Sequence, residues 1–536
     1  MASLFTPPAG ACLALVVQLV EMASNATLGR SFVSTKLTQV YLSLHFQPNV
    51  SYDASGDLIA NWDPTGANPP AVYNLGDMSW ILDSFASRFD PVSLASLRAP
   101  GVAFLYSGLL RRKNALSMLM LALAVYSVAT IQWMFWGYSL AFSSTGSKFI
   151  GDLKHFGLID VLDAPSAGSS KIPALLYAFY QSMFAAVTPV IIIGGCAERA
   201  RILPILVFTF IWGTLVYDPI ACWVWAPNGW AFQLGVLDFA GGGPVHMTSG
   251  TAAVAWAVYL GKRRGYGTPK LAYRPHSVSH VILGTTLLWF GWFGFNGGSE
   301  LAGNLRAVQA AMATNLATAM AGLTWMFMDY FYTGKYSAVS LCSGILAGLV
   351  GITPAAGYVG SPAALAIGFV TAIVANFATG LKVLGRFDDP VDSFALHTVG
   401  GFTGSILTGL FADSRVVEFD GYSVITGGWI NKFYKQLGFQ LAGSLSIVAY
   451  TFVMTYIILF CIDHVPGLHL RVSEESEILG IDEAELGEAS YDYVALRRDI
   501  DYPEEHAEWM AGSSTPPSNR SHEKVSAEPK SEVVVN

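Results

Sequence analysis

The segment DFAGGGPVHMTSG (238–250) is followed directly by TAAVAWAVYLG (251–261), an apolar stretch that is long enough to form most of a membrane helix. This pattern places His246 about one turn inside that helix, eight residues after Asp238. An ionisable side chain inside a bilayer is costly, and such side chains usually line a pathway. A lone histidine has a simpler interpretation, as a buried side chain that bonds a backbone carbonyl, so a functional interpretation requires a partner.

The chain supplies that partner in the segment FDDPVDSFALHTVGG (387–401), which contains His397. Both histidines stand four residues before a glycine and eight residues after an aspartate, which is Asp389 in the second segment. Recurrence at corresponding places predicts a symmetric pair of intramembrane histidines. A metal site held by the two histidines is a third interpretation, but no Cys or carboxylate ligand accompanies them at metal spacing. The sequence therefore predicts neither a metal nor a cofactor.

The composition is that of a membrane protein that crosses the bilayer many times. Of the 536 residues, 53% are hydrophobic and 13% are charged, whereas soluble domains carry about a quarter charged residues. The 53 glycines indicate helices that pack closely within lipid. The net charge of −8 resides in the tail, since the residues after Cys461 include 17 acidic and 6 basic side chains. Nothing in this distribution indicates nucleic-acid binding.

Apolar runs of membrane-span length predict eleven transmembrane helices in an all-α polytopic membrane protein. Lys and Arg cluster after spans one, three, five, seven and nine, so the positive-inside rule puts these ends in the cytoplasm. The N-terminus is then outside and the C-terminus inside, which predicts a multi-pass membrane protein. The predicted spans are 92–110, 115–142, 173–195, 203–226, 244–261, 277–297, 305–328, 336–356, 362–384, 393–412 and 437–462.

The span count suggests an inverted repeat of five plus five helices, followed by one more. Five spans per half give the two halves opposite orientations, a plan in which the transport site lies at the repeat interface. The predicted divisions are an extracellular segment (1–78), a transmembrane domain (79–463), a cytoplasmic region (464–502) and a disordered tail (503–536). Sequons at Asn25 and Asn49 predict a glycoprotein if this end is outside.

Aromatic side chains near the outer ends of several spans form a second candidate feature. In LLWFGWFGFNGGS (287–299), Trp292, Phe295 and Ser299 share one helix face. Tyr180 and Phe184 are four residues apart in another span, and Trp223 and Trp225 lie at the outer end of the next. Any single ring is explained by an interfacial aromatic belt or by ordinary core packing. Together the rings predict a cation–π site, to which Ser299 adds an acceptor for N–H groups.

These segments resemble the ammonium transporter family, which includes the Rhesus proteins. The resemblance extends from about residue 100 to 500 and includes PGVAFLYSGLLRRKN, GGCAERARI, CSGILAGLVGITPAAGYVG and GLHLRVSEESEILGIDEAELGEASYDY. The long tail and the sequons resemble those of fungal ammonium permeases. Because some of those have Glu at the first pore position, His246 makes this chain similar to the high-affinity, sensor-type subgroup.

The resemblance implies a homotrimer in the plasma membrane with one pore in each subunit. It also implies that residues 79–463 form the transporter domain and that residues 464–502 are regulatory. It implies an outer recruitment site, an aromatic gate, a pore lined by two histidines, and Asp238 as structural support at the pore mouth. Tyr180 stands where the family often has Phe. The implied residues are Trp225, Ser299 and Phe184 for recruitment, Phe184 and Phe295 for the gate, and His246, His397, Trp292 and Thr353 for the pore.

Elementary chemistry agrees with this expectation. A dry pore passes neutral ammonia far more easily than ammonium, because an unpaired ion in a medium of low dielectric costs several kcal/mol or more. Aromatic rings and a serine can hold the cation while it loses water, and neutral imidazoles can hydrogen-bond ammonia and relay the proton separately. Potassium ion has no proton to lose, so selectivity follows.

The first span departs from the family pattern. The segment WILDSFASRFDPVSLASLRAPG (80–101) carries Asp83, Arg88, Asp90 and Arg98. Four charges in one lipid-facing helix would cost about 10 kcal/mol on insertion scales. This indicates a gene-model or splicing error, or a helix that begins only near residue 92.

Two other functions remain open at this point. One is an ammonium sensor that signals nitrogen status through its cytoplasmic tail, with a regulatory kinase or signalling partner at Ser513, Ser514 or Thr515. The other is a Rhesus-type gas channel, against which the outer Trp225 argues. The sequence contains no nucleophile–base set or metal spacing, which argues against an enzyme.

Overall fold

The computed structural model describes residues 51–52, 58–60, 71–73, 75–82, 95–268 and 275–491. Within these residues the chain is predominantly helical, because long apolar runs satisfy their own backbone hydrogen bonds in a helix. The α-helices are α1 (Leu75–Leu82), α2 (Arg98–Leu109), α3 (Ala115–Gln132), α4 (Tyr138–Phe142), α5 (Ala174–Cys196), α6 (Ile202–Trp212), α7 (Asp218–Trp225), α8 (Trp230–Leu234), α9 (Thr248–Leu260), α10 (Val278–Trp292), α11 (Leu305–Thr333), α12 (Ala338–Ile352), α13 (Ser361–Ala378), α14 (Leu381–Leu384), α15 (Gly400–Phe411), α16 (Ser414–Val417), α17 (Lys435–Asp463) and α18 (Glu474–Leu479).

A helix lies at each predicted span in the described residues, which confirms a helical membrane protein. Seven of these helices, counted with the π-helical turns that continue them, are long and apolar enough to cross a membrane. The number of crossings and the orientation of the termini stay predictions. The seven segments are Arg112–Phe142, Ala174–Cys196, Ile202–Leu234, Val278–Gly297, Ser361–Leu384, Phe394–Phe411 and Lys435–Asp463.

Two small antiparallel sheets depart from the all-α prediction. One sheet has the order β1–β2–β3 and the other pairs β4 with β5. Both belong to segments that connect or precede the long helices, where short β-pairing can satisfy the backbone. The strands are β1 (Ser51–Tyr52), β2 (Leu58–Ala60), β3 (Ala71–Tyr73), β4 (Pro165–Ser166) and β5 (Ser169–Pro173).

Wider π-helical turns interrupt or precede the long helices in the described chain. Inserted π-turns are rare and are frequent at functional sites. Both histidines of the predicted pair lie in such turns, and so does the predicted gate residue Phe295. The π-helical turns are Trp133–Gly137, Gly213–Tyr217, Gly242–Met247, Phe293–Gly297, Phe394–Val399 and Asp482–Leu486.

The structure describes only part of the predicted first span. Ala95 and Ser96 are helical, Leu97 lies in a turn and the continuous helix α2 begins at Arg98, whereas residues 92–94 lie outside the described residues. Asp83, Arg88 and Asp90 lie outside the described residues, as do both sequons and the tail from 503. Residues 264–268 belong to a second compact unit and form a turn in which Thr268 N donates to Gly265 O (3.1 Å).

A buried cluster of charges joins the segments that follow α2, α5, α9 and α14. Glu198 accepts hydrogen bonds from the Arg111 backbone N–H (2.7 Å), the Arg111 Nε (2.9 Å), Asn114 Nδ2 (3.2 Å) and Arg263 Nη1 (2.8 Å). Arg263 also pairs with Asp388 through Nε and Nη2, at 2.8 and 2.9 Å. These bonds fix one end of the helical bundle, and sequence reasoning did not identify them.

Candidate functional site

The two predicted histidines meet in the interior of the bundle. His246 Nδ1 lies 3.2 Å from His397 Nδ1, and the ring centroids are 5.3 Å apart at an interplanar angle of 25°. Both side chains are buried, with exposed fractions of 0% and 6%. One Nδ1 must donate the proton and the other must accept it, so the pair shares a hydrogen bond as neutral imidazoles.

The glycines of the two H-x-x-x-G motifs explain how the histidines come together. A Cβ on Gly250 would lie 2.5 Å from the backbone N of Thr398 and 2.9 Å from the Cβ of His397. A Cβ on Gly401 would lie 2.8 Å from Gly242 O and 3.3 Å from the His246 Cβ. Each glycine therefore makes room for the segment that carries the other histidine. This reciprocal contact is what an inverted repeat predicts, since each half repeats the role of the other.

Asp238 caps the π-helical turn that carries His246. Its carboxylate accepts hydrogen bonds from the backbone N–H groups of Gly241 (2.8 Å), Gly242 (2.8 Å) and Gly243 (2.6 Å). Burial raises the pKa of Asp238 to about 6, although the three N–H groups oppose this rise, so the group is ionised at neutral pH. The fixed carboxylate suits the positive end of a helix and fits the predicted supporting role.

The corresponding aspartate in the second half makes a simpler cap. Asp389 Oδ2 accepts a hydrogen bond from the Phe394 backbone N–H (2.8 Å), at the start of the π-helical turn that carries His397. A buried aspartate thus precedes each of the two histidine turns and accepts hydrogen bonds from backbone N–H groups near the start of that turn.

The predicted gate is a pair of stacked rings. Phe184 and Phe295 have centroids 4.1 Å apart and an interplanar angle of 23°. Trp225 meets Phe184 edge to face at 5.7 Å, which brings together two members of the predicted recruitment set. Ser299, the third member, donates from its Oγ to Phe295 O (2.6 Å), so its oxygen can accept an N–H from a cation.

Tyr180 holds the turn that carries Phe295 through a hydrogen bond to its backbone. Its hydroxyl lies 2.9 Å from both Gly294 O and Phe295 O, and it donates to this pair of carbonyls. Its ring also meets Phe184 at 5.1 Å. A phenylalanine at this position would lack the hydroxyl that ties α5 to the gate turn.

The remaining predicted pore residues, Trp292 and Thr353, form one unit. Trp292 Nε1 donates to Thr353 Oγ1 (2.9 Å), and that hydroxyl donates to Leu349 O (2.7 Å). The Trp292 ring stacks on His246 at 5.2 Å and 14°. Thr353 is fully buried and fixes the indole, which in turn fixes the plane of the first histidine.

Arg98 is the side chain of this site that sequence reasoning did not place. Its guanidinium carbon lies 3.4 Å from the centroid of Phe295 and 4.0 Å from that of Trp292. The side chain is 1% exposed, and in the described part of the chain its Nε and Nη1 have no hydrogen-bond partner. The signal was visible as a charge at the end of the unusual first span, but nothing in the sequence showed where it would point.

The site offers hydrogen-bonding groups and aromatic surfaces. Among the described residues, no group of three or more His, Cys, Asp or Glu side chains could hold a metal ion. His246 Nε2 is buried and, within the same residues, has no hydrogen-bond partner. Such an atom is suited to a small polar guest that can donate or accept a hydrogen bond.

Comparison with known proteins agrees with this geometry. Residues 92–491 match the model of the Ammonium Transporter Family. The chain is 49% identical to Ammonium transporter 1 of Schizosaccharomyces pombe over 432 residues, which cover 80% of this chain and 85% of the relative. It is 50% identical to Ammonium transporter MEP2 of Saccharomyces cerevisiae over 429 residues, covering 78% and 84%.

The fold matches solved structures of the same kind. The crystal structure of Candida albicans Mep2 aligns with a TM-score of 0.71 and 50% identity, covering 75% of this chain and 88% of that one. A structure described as a sensor Amt protein aligns with a TM-score of 0.68 and 29% identity, covering 77% and 98%. The chain belongs to the Ammonium Transporter Family.

Proposed function

We propose that this protein transports ammonium by recruiting the cation at an outer aromatic site, removing its proton at the gate and conducting ammonia past the two histidines. The proton is relayed separately. Asp238 supports the pore mouth without touching the substrate. The proposed roles are recruitment for Trp225, Ser299 and Phe184, gating for Phe184 and Phe295, and pore lining for His246, His397, Trp292 and Thr353.

The histidine pair is the observation that carries this proposal. Because the two Nδ1 atoms share one proton, one ring offers a bare Nε2 and the other offers an Nε2–H. Ammonia both accepts and donates hydrogen bonds, so it can bond to either face of this pair. An alkali cation can neither donate nor accept a hydrogen bond. The Nδ1 bridge also gives the relayed proton a place to reside.

The same proposal includes the assembly and its setting. We infer eleven spans with the N-terminus outside, a homotrimer with a pore in each subunit, and a location in the plasma membrane. Large apolar side chains remain exposed on the long helices, as a lipid bilayer or neighbouring subunits would require. Examples are Leu123, Ile131, Phe377 and Phe460.

Uptake in cells that lack their own ammonium carriers tests the proposal. Because Arg98 lies in the proposed pathway, uptake is compared between Arg98→Met and the double variant Arg98→Met/His397→Ala. Uptake should fall at least about tenfold in the double variant, which corresponds to about 1.4 kcal/mol. His469→Ala in the same background is the matched control, since that histidine is largely exposed. Undiminished uptake after loss of His397 would refute the proposed pore.

Electrical measurement separates the proposed mechanism from a gas channel. Liposomes containing the Arg98→Met protein should show an inward current under an ammonium gradient, because the proton crosses together with ammonia. Ammonia flux without any current would favour the Rhesus-type alternative.

A sensor function is supported by the way in which the C-terminal segment binds the start of α3. The Asp482 carboxylate accepts from the backbone N–H groups of Leu116 (2.9 Å) and Ser117 (2.7 Å), and Asn114 Oδ1 accepts from Ile481 N (2.9 Å). A change at the pore can therefore reach the tail through the start of α3. Truncation after Tyr491 leaves these contacts in place, and lost signalling with retained uptake would support the sensor.

A further inference from the structure

We infer that Arg98 closes the ammonium pathway of this chain by occupying, with a permanent positive charge, the space between the gate and the histidine pair. This inference rests on the proposed function of the same site. It concerns a residue that belongs to neither the gate nor the histidine pair, and it predicts that the chain as it stands conducts poorly.

The position follows from the contacts of two rings. Phe295 has Phe184 stacked at 4.1 Å and the guanidinium carbon of Arg98 at 3.4 Å. Two groups this close to one ring can fit only on opposite faces. Phe184 therefore lies on the outer face of Phe295, towards Trp225, and the arginine lies on the inner face.

The second ring connects the arginine to the histidines. Trp292 has the guanidinium carbon of Arg98 at 4.0 Å and the His246 ring at 5.2 Å. Both rings that contact the guanidinium therefore also border the first histidine, since the centroids of Phe295 and His246 are 6.3 Å apart.

The charge of Arg98 is not neutralised by a described carboxylate. Two other buried arginines have such partners, since Arg263 pairs with Glu198 and Asp388, and Arg306 pairs with Glu300 and Asp420. A third, Arg199, donates instead to the backbone carbonyls of Gly195, Ala197 and Asp388. In the described residues, the contacts of Arg98 are instead with the faces of two aromatic rings, and two of its nitrogens lack hydrogen bonds. Arginine stays protonated in proteins, so the charge persists inside the path.

Two effects then oppose transport. The guanidinium takes up the volume that a small guest would need between the inner ring and the histidines. It also repels any ammonium that reaches the gate, because unlike the imidazoles it cannot become neutral. The aromatic faces that would hold an entering cation are already engaged by a resident one.

Ammonium flux into liposomes containing equal amounts of purified, monodisperse protein tests this inference. The natural chain, Arg98→Met and Arg98→Lys are compared, with Arg415→Met as a matched control because that arginine is 81% exposed. Methionine preserves an unbranched side chain without the charge, whereas lysine preserves the charge. We expect Arg98→Met to exceed the natural chain by about tenfold or more, a modest 1.4 kcal/mol in barrier, and Arg98→Lys and Arg415→Met to stay at the natural level.

Each outcome has one meaning. Equal flux through the natural chain and Arg98→Met would overturn the inference that Arg98 closes the pathway. If that flux were lost in His397→Ala, the proposed function would still hold. Flux through Arg98→Lys as fast as through Arg98→Met would overturn the role of the charge. An inactive but folded Arg98→Met would overturn the proposed function, and the inference with it.

A second measurement keeps the comparison within one folded protein. Arg98→Cys is reconstituted, and the introduced thiol is then modified with aminoethyl methanethiosulfonate, which attaches a cationic group. The same protein modified with methyl methanethiosulfonate serves as the neutral control, and attachment is followed by mass spectrometry. Flux should fall when the cationic group is attached and should recover when reduction of the new disulfide bond removes that group. Unchanged flux at complete attachment of the cation would overturn the inference.

Discussion

Replacing Glu198 by glutamine should destabilise the folded chain far more than removal of an ordinary surface charge. Glu198 is buried and lies between Arg111 and Arg263, whose nitrogens approach its carboxylate at 2.9 and 2.8 Å. Glutamine keeps the shape but loses the charge, and it turns an N–H₂ group towards one of the two guanidinium groups. The perturbation therefore leaves two largely buried cations without their shared partner.

The magnitude follows from the pKa of this group. Burial alone would raise the pKa of Glu198 from 4.5, but Arg111 and Arg263 outweigh burial and lower it to about 2. Each pKa unit corresponds to about 1.4 kcal/mol, so the ionised form stabilises the fold by about 3 kcal/mol. Removal of one partner from a buried ion pair costs about 3–5 kcal/mol in other proteins, which agrees.

Unfolding in mixed micelles, by stepwise replacement of a mild detergent with dodecyl sulfate, measures this difference. Glu198→Gln should lose about 3 kcal/mol in the free energy of unfolding. The control Glu485→Gln should change it by about 0–1 kcal/mol, because Glu485 and Arg201 are half-exposed and 3.7 Å apart.

The pH dependence gives a second signature of the same charge. The folded pKa of Glu198 is lowered, so its stabilisation is complete above pH 4.5 and is lost as the pH falls towards about 2. The advantage of the natural chain over Glu198→Gln should shrink across that interval. A difference of less than about 1 kcal/mol at neutral pH, or one equal to that of the control, would refute the reasoning.

Three further predictions use the same unfolding assay. Asp238→Ala should cost about 2–3 kcal/mol, because the buried N–H groups of Gly241, Gly242 and Gly243 all lose their acceptor; an unchanged free energy would contradict the capping role. Gly250→Ala should cost about 1–3 kcal/mol and should reduce uptake when it is added to Arg98→Met, since the new Cβ would lie 2.5 Å from the Thr398 backbone N; uptake equal to that of Arg98→Met alone would contradict it. Arg98→Met should stabilise the fold by about 1–4 kcal/mol, as apolar replacement of buried charge often does, and a less stable variant would contradict the unpaired burial of this charge.

The sequence predicted the helical membrane fold and the histidine pair because both rest on local patterns. A run of apolar residues must be helical in lipid whatever surrounds it, and a repeated H-x-x-x-G motif carries its own symmetry. The glycines that make the motif recognisable are also the ones that permit contact between the halves, as Gly250 and Gly401 show. The same two glycines therefore account both for the recognisable motif and for the close packing of the two halves.

Long-range partnerships were not predictable in the same way. The bonds of Glu198 join residues separated by 65 to 87 positions, and no spacing rule reveals them. Thr353 was expected to line the pore, and the structure adds that its hydroxyl is committed to Trp292 and Leu349. For Arg98 the sequence showed only an expensive charge, whereas its consequence depends on which rings α2 packs against.

The chemistry proposed for the pore explains why an arginine at this place matters more than one elsewhere. The neutral histidine pair adds no negative charge to the path, and Asp238 is bonded to three backbone N–H groups at the pore mouth. A cation can then pass only by giving up its proton, which ammonium does readily and which a guanidinium does not. The neutral lining that would select ammonia over potassium therefore offers Arg98 no carboxylate partner among the described residues, and the charge of its guanidinium stays in the path.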